Sequence, residues 1–277
     1  MRIGVAMRCQ TLGIARYLKA MLPDSQIEGF AQLYKSHPTT SNLRRLSKDY
    51  DHFICCEPAG EIDLQNFHYY PMITFNAFHP DIIYVKNKDS SQYTEIHYNS
   101  FIIAECFRRG ILERFVTDFF RWEVFASLGY LDRWSLEANS LKTQFANSKS
   151  RDSFRLLFYR IKRAGVFMWT LNHPKSFALR DYAVVMANEV FGRSLDFESV
   201  ETQPDTLSEV RWPVYPGISE IFDVPSSTEF RLPRLSSNTF AGAVSFFYGE
   251  YRRQGITPSN IELLTSPELS TRFAKFI

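Results

Sequence analysis

The sequence predicts an α/β protein, a parallel sheet with flanking helices and a substantial helical insertion. Short apolar runs alternate with helix-period segments through the first hundred residues, and from Asn99 onward the pattern turns to nearly continuous helix. Alternating strands and helices imply crossover connections, and therefore parallel strands. At 277 residues, 45% hydrophobic and 22% charged, the chain can bury a sizeable core.

Ile3-Gly4-Val5-Ala6-Met7 reads as the first strand, and Thr11 to Leu22 as the helix after it. Gln26 to Leu33 reads as a second strand, Thr40 to Lys48 as a helix with a Thr/Ser cap, and His52 to Cys56 as a third strand. Tyr70 to Phe78 reads as a further strand that runs directly into His79-Pro80-Asp81. Beyond it Phe101, Ile102, Cys106, Phe115 to Phe120, Val124, Phe125 and Leu128 recur at helical spacing, and Gly129 closes that run as a C-cap. Helices are expected over Leu131 to Phe145 and Asp152 to Arg163. Pro174 suits the start of a helix over Phe177 to Phe191. Ser194 to Ser237 reads as loop with a short helix at Ile218 to Phe222, and Phe240 to Arg253 returns to helix. The expected organisation is an α/β core over 1–98 and 164–192, a helical block over 99–163, and a loop-rich, helical C-terminal extension over 193–277.

A net charge of +2 without blocks of like charge does not point to nucleic acid, and the 25 Phe and 14 Tyr lack the interleaved cations of a base-stacking platform. No stretch approaches about 18 apolar residues and no secretory leader pattern opens the chain, so a cytoplasmic protein without a membrane span is expected. Four cysteines are too few for a disulfide framework and lack zinc-site spacing, so no metal is expected.

In a doubly wound sheet, ligands gather at the carboxyl ends of the strands. Cys9 leaves the first strand there, at the start of a helix and beside Arg8, and both neighbours favour thiolate, the nucleophilic form of cysteine. A small buried hydrophobe is the alternative reading. Cys55-Cys56 reads as strand packing. His79 leaves a second predicted strand end, and His173 precedes a helix. Either can serve a thiol as its base, with a third group to orient it. Asp81 is a turn or cap residue or a catalytic carboxylate, and Ser100 reads as a helix cap.

The segments MRCQTLGIARYLKAMLP, FHPDIIYV, YNSFIIAECFRRG, LGYLDRW, FMWTLNHPK and WPVYPGISEIF, in this order, resemble the WcbI family of bacterial polysaccharide-biosynthesis proteins. The resemblance implies an SGNH- or flavodoxin-like fold that binds coenzyme A and transfers acetyl from acetyl-coenzyme A to a capsule or surface sugar, with a sugar, nucleotide sugar or glycan as acceptor. Cys9 then takes the place of the SGNH nucleophilic serine, and His173-Pro174 that of the general-base histidine. Oxyanion donors would be the Cys9 or Gln10 backbone N–H with Asn76 or Asn172. Arg8, Lys175 and Arg121 would face the phosphates of coenzyme A, with Gln10 in the same contact set. The family usually has Asn-Cys-Gln at Arg8-Cys9-Gln10 and Tyr-His-Ser at Tyr98-Asn99-Ser100, and SGNH enzymes carry Asp where this chain has Thr170. An SGNH-like esterase or thioesterase using Cys9 and His173, and a non-catalytic component of glycan assembly, are the other readings.

Overall fold

The computed structural model describes residues 1–32, 40–58 and 65–277. Its strands are β1 (Arg2–Ala6), β2 (Gln26–Gly29), β3 (His52–Cys55), β4 (Phe67–Tyr69), β5 (Ile82–Asn87), β6 (Asn99–Ser100) and β7 (Ile261–Leu264). The first helices are α1 (Thr11–Met21), α2 (Thr40–Ser47), α3 (Phe101–Arg108), α4 (Glu113–Val116) and α5 (Trp122–Ser127). They are followed by α6 (Arg133–Ala146), α7 (Phe154–Arg163), α8 (Ser176–Phe191), α9 (Pro216–Phe222), α10 (Phe240–Arg253) and α11 (Pro267–Phe273). Two compact units result, Met1–Phe75 with Ala138–Ser208 and Asn76–Glu137 with Glu209–Ile277. Residues 138–163 thus belong to the first unit and 99–137 to the second.

The first unit holds a four-stranded sheet in the order β2-β1-β3-β4. All three pairings are parallel, with Ile3 opposite both Ile27 and His52, and Phe53 opposite Phe67. The expected α/β fold is present. Ala6, Leu43, Tyr50, Phe53, Cys55 and Phe67 form a buried cluster, and Gly4 is required beside it, because a Cβ there would lie 2.5 Å from the Phe53 ring. Helices α1 and α8 pack together, and Gly13 permits their approach: its Cβ would meet Leu179 at 2.5 Å.

The expected strand over Tyr70 to Phe78 does not form; β4 ends at Tyr69. Pro71 has no N–H to give a ladder, and the segment's other polar groups are bonded elsewhere. The Phe75 N–H donates to the Leu171 carbonyl (2.8 Å), Ile73 N–H to the Gln10 side chain (3.2 Å), and Tyr182 hydroxyl to the Pro71 carbonyl (2.7 Å). The second strand stops at Gly29, and Leu33 lies outside the described residues.

The second unit contains a small antiparallel sheet, β6-β5-β7, for which the sequence reading has no strands. Among the described residues no helix is long and apolar enough to cross a membrane.

Candidate functional site

At the carboxyl end of β1 the chain turns through Arg8 at φ +50°, a left-handed conformation that is uncommon for a side chain other than glycine and clusters at functional turns. Arg8–Gln10 is a short 3₁₀ turn that leads straight into α1, closed by Gln10 N–H to the Met7 carbonyl (2.9 Å) and by Met7 N–H to Thr11 Oγ1 (2.8 Å). This turn presents Cys9, half-buried, with its thiol donating to the Asn172 carbonyl (3.6 Å). Gln10 is fully buried, and its side-chain amide donates to the carbonyls of Ile73 (2.8 Å) and Asn172 (3.1 Å). It braces three chain segments around the thiol.

The opposing segment is a hairpin, 167–175. Trp169 N–H donates to the His173 carbonyl (2.7 Å) and Lys175 N–H to the Phe167 carbonyl (2.8 Å), so His173 is fixed at its tip before α8 begins. The Thr170 hydroxyl donates to Asn172 Oδ1 (3.4 Å), and the Lys175 ammonium lies 4.4 Å from the Trp169 ring centroid. The first unit therefore brings Cys9, Gln10, Asn172 and His173 to one edge of its sheet.

Burial governs both reactive groups. It pushes the Cys9 thiol up to about 11; the backbone N–H groups of Cys9 and Gln10 and the Arg8 charge pull it down, as expected of a helix start, but nearby Cys56 adds to the rise. Cys9 is thus a thiol at neutral pH, not the expected thiolate. Burial also pushes His173 down to about 4, against the opposing charge of Asp205, which leaves a neutral imidazole able to accept a proton. Asp205 is a carboxylate the sequence reading missed. It accepts from Trp169 Nε1 (2.7 Å), Ser176 N–H (3.0 Å) and Leu207 N–H (3.1 Å), and lies in an irregular stretch with no pattern to flag it. Arg8 is bound to Glu57, with a second contact from its Nε at 3.1 Å.

His79, Asp81, Asn76 and Arg121 belong to the second unit. Asp81 is fully buried and accepts from Ile102 N–H (3.0 Å), Tyr130 (3.1 Å) and Tyr215 (2.8 Å), with Ser100 as a further partner; burial pushes its carboxyl up to about 6 against those donors. His79 is buried, and its Nδ1 donates to the Pro213 carbonyl (3.2 Å). Asn76 N–H donates to Glu137 (3.3 Å), and Arg121 is exposed, 3.8 Å from Glu123. Ser100 caps α3 as expected, accepting from Ile103 N–H (3.1 Å). Among the described residues no group of three or more His, Cys, Asp or Glu is arranged to hold a metal.

Residues 63–190 match the family described as polysaccharide biosynthesis enzyme WcbI. A solved WcbI structure, described as a novel polysaccharide biosynthesis enzyme in its native form without a disulfide between coenzyme A and one of its cysteines, matches 99% of this chain and 94% of its own. Its TM-score is 0.69 at 16% identity. The likeness is to WcbI. The structural likeness shows a shared fold over nearly the whole chain, and the family match falls on residues 63–190. The WcbI match takes in the HPD, YNS, LGY and NHP segments, while the Cys9 turn and the WPVYPG segment lie outside its bounds. No curated protein matches the sequence significantly.

Proposed function

We propose that this chain is a cytoplasmic O-acetyltransferase that moves an acetyl group from acetyl-coenzyme A to a hydroxyl of a sugar, nucleotide sugar or glycan during synthesis of a capsule or other surface polysaccharide. The observation that carries the reading is the joining of Cys9 and the His173 hairpin through the Asn172 carbonyl at the edge of the β1 sheet. The donor set suits coenzyme A: a half-buried thiol for its sulfur end, with Arg8 and Lys175 as cations for its phosphates. The WcbI structure's description couples coenzyme A with a cysteine, and we assign that contact here to Cys9.

Coenzyme A supplies the acyl group in activated form, as a thioester. With that group bound, the neutral His173 would accept the proton of the acceptor hydroxyl and hold it for return once the acyl group has moved. The backbone N–H of Cys9, with the Asn172 side chain, faces the developing oxyanion; the Gln10 N–H is held by the Met7 carbonyl. A thiol at Cys9 favours this direct route over an acyl-cysteine intermediate. The Asp205 charge on His173 supports a second reading, a thioesterase with water as acceptor.

Calorimetry with coenzyme A and acetyl-coenzyme A on the reduced wild type, Arg8→Ala and Cys9→Ala tests the proposal. Binding that weakens in Arg8→Ala supports it, and no binding of either form overturns it. Release of free coenzyme A at the same rate with and without sugar acceptors would select the thioesterase.

A further inference from the structure

The strand end that leads to Cys9 lies beside the strand end that carries a second thiol. In the parallel register Ala6 lies opposite Cys55, and the Cys56 N–H donates to the Ala6 carbonyl (3.1 Å), so the chain leaves β3 at Cys56 beside the point where it leaves β1 toward Cys9. Cys55 is buried in the sheet's core cluster, but Cys56, on the alternate face, is only half-buried, as is Cys9. The Arg8 side chain is bonded to Glu57, and its charge acts on both Cys56 and Cys9. One guanidinium thus serves both sulfurs, and ionisation of either thiol is felt by the other. A cation against a sulfur stabilises the attacking thiolate.

We propose that Cys9 and Cys56 are a dithiol couple that a low-molecular-weight disulfide oxidises to an intramolecular disulfide, switching off the Cys9 turn. The Cys56 thiolate attacks one sulfur of the disulfide RSSR; the Cys56–SR bond forms, the S–S bond breaks, and RS⁻ leaves and takes up the proton given by Cys56. Cys9 then attacks the Cys56 sulfur, the Cys9–Cys56 bond replaces Cys56–SR, and the second RS⁻ leaves with the Cys9 proton. Two protein thiols are oxidised, and RSSR is reduced to two RSH. The bridge removes the Cys9 thiol from the sheet edge and ties the β1 and β3 turns together. The inference needs no bound coenzyme A and stands apart from the acetyltransferase reading.

The test incubates the reduced full chain with glutathione disulfide, blocks remaining thiols by alkylation, and maps peptides by mass spectrometry. The expected result is a peptide pair linking Cys9 to Cys56, with no lasting glutathione adduct on wild type and full reversal by dithiothreitol. Cys9→Ser is expected to trap glutathione on Cys56, and Cys56→Ser to form no internal disulfide. A stable glutathione adduct on wild type, a Cys55–Cys56 bridge, or two thiols that remain alkylatable would each overturn the couple. Coenzyme A binding by the reduced wild type in the same preparation distinguishes failure of the couple from failure of the acetyltransferase reading.

Discussion

The two units use the same kinds of residue in opposite ways. In the first, Cys9 and His173 are half-buried at a sheet edge, on a turn with a left-handed Arg8 and on a hairpin. In the second, Asp81 and His79 are buried, and the Asp81 carboxylate gathers Ser100, Ile102, Tyr130 and Tyr215, drawing the HPD, YNS, LGY and WPVYPG segments onto one acid. Residues of one chemical type become reactive or architectural according to how completely packing removes them from water and satisfies their hydrogen bonds.

The sharpest way to break this contrast is Asp81→Ala. It strands two tyrosine hydroxyls and a helix-start N–H in the core, and a loss of about 4 kcal/mol in urea unfolding is expected. A loss under about 1 kcal/mol would contradict the architectural role. His173→Gln is expected to lower acetyl transfer by about 100-fold to 10,000-fold with the fold retained, as for loss of a general base. Retained turnover would move the base elsewhere.

Acidity separates the units by sign. The folded-state value of Asp81, about 6, lies above the usual aspartate range, so the native state holds a proton the unfolded chain has released; its contribution makes stability fall, by about 3 kcal/mol, as pH rises from about 4 to about 6. His173, at about 4, lies below the usual histidine range, so its contribution is complete above about pH 6.5 and is lost as pH falls toward 4. Urea unfolding between pH 4 and 7 should show the first slope vanish in Asp81→Asn and the second in His173→Gln. Identical pH profiles for wild type and either variant would refute that assignment.

The smallest effect is expected from Glu57→Gln. The Arg8–Glu57 pair has side chains 52% and 35% exposed, and such pairs contribute less than about 1 kcal/mol. A larger loss of stability would mean that the pair holds the Cys9 turn in its left-handed conformation.

Much of the first unit was legible locally. Apolar runs marked β1 and β3, helical spacing marked α1, α7 and α8, and Cys9 was recognisable as the residue between the first strand and its helix. The false strand at Tyr70 to Phe78 came from an apolar run whose partners, Gln10, Leu171 and Tyr182, lie far off in sequence. The sheet of β5, β6 and β7 was missed because Ile82–Asn87 pairs with Ile261–Leu264, nearly at the chain's end.

By itself the sequence determined the alternation of strands and helices, the place of Cys9 at a strand end and the motifs that resemble WcbI, because these follow from short-range periodicity and residue identity. The tertiary structure alone decided that Cys9 is a thiol, that His173 is neutral, that Asp205 is the acid acting on it and that the strand ends leading to Cys9 and Cys56 are neighbours. Desolvation and charge pairing depend on which distant segments close over a group, and no local pattern encodes them.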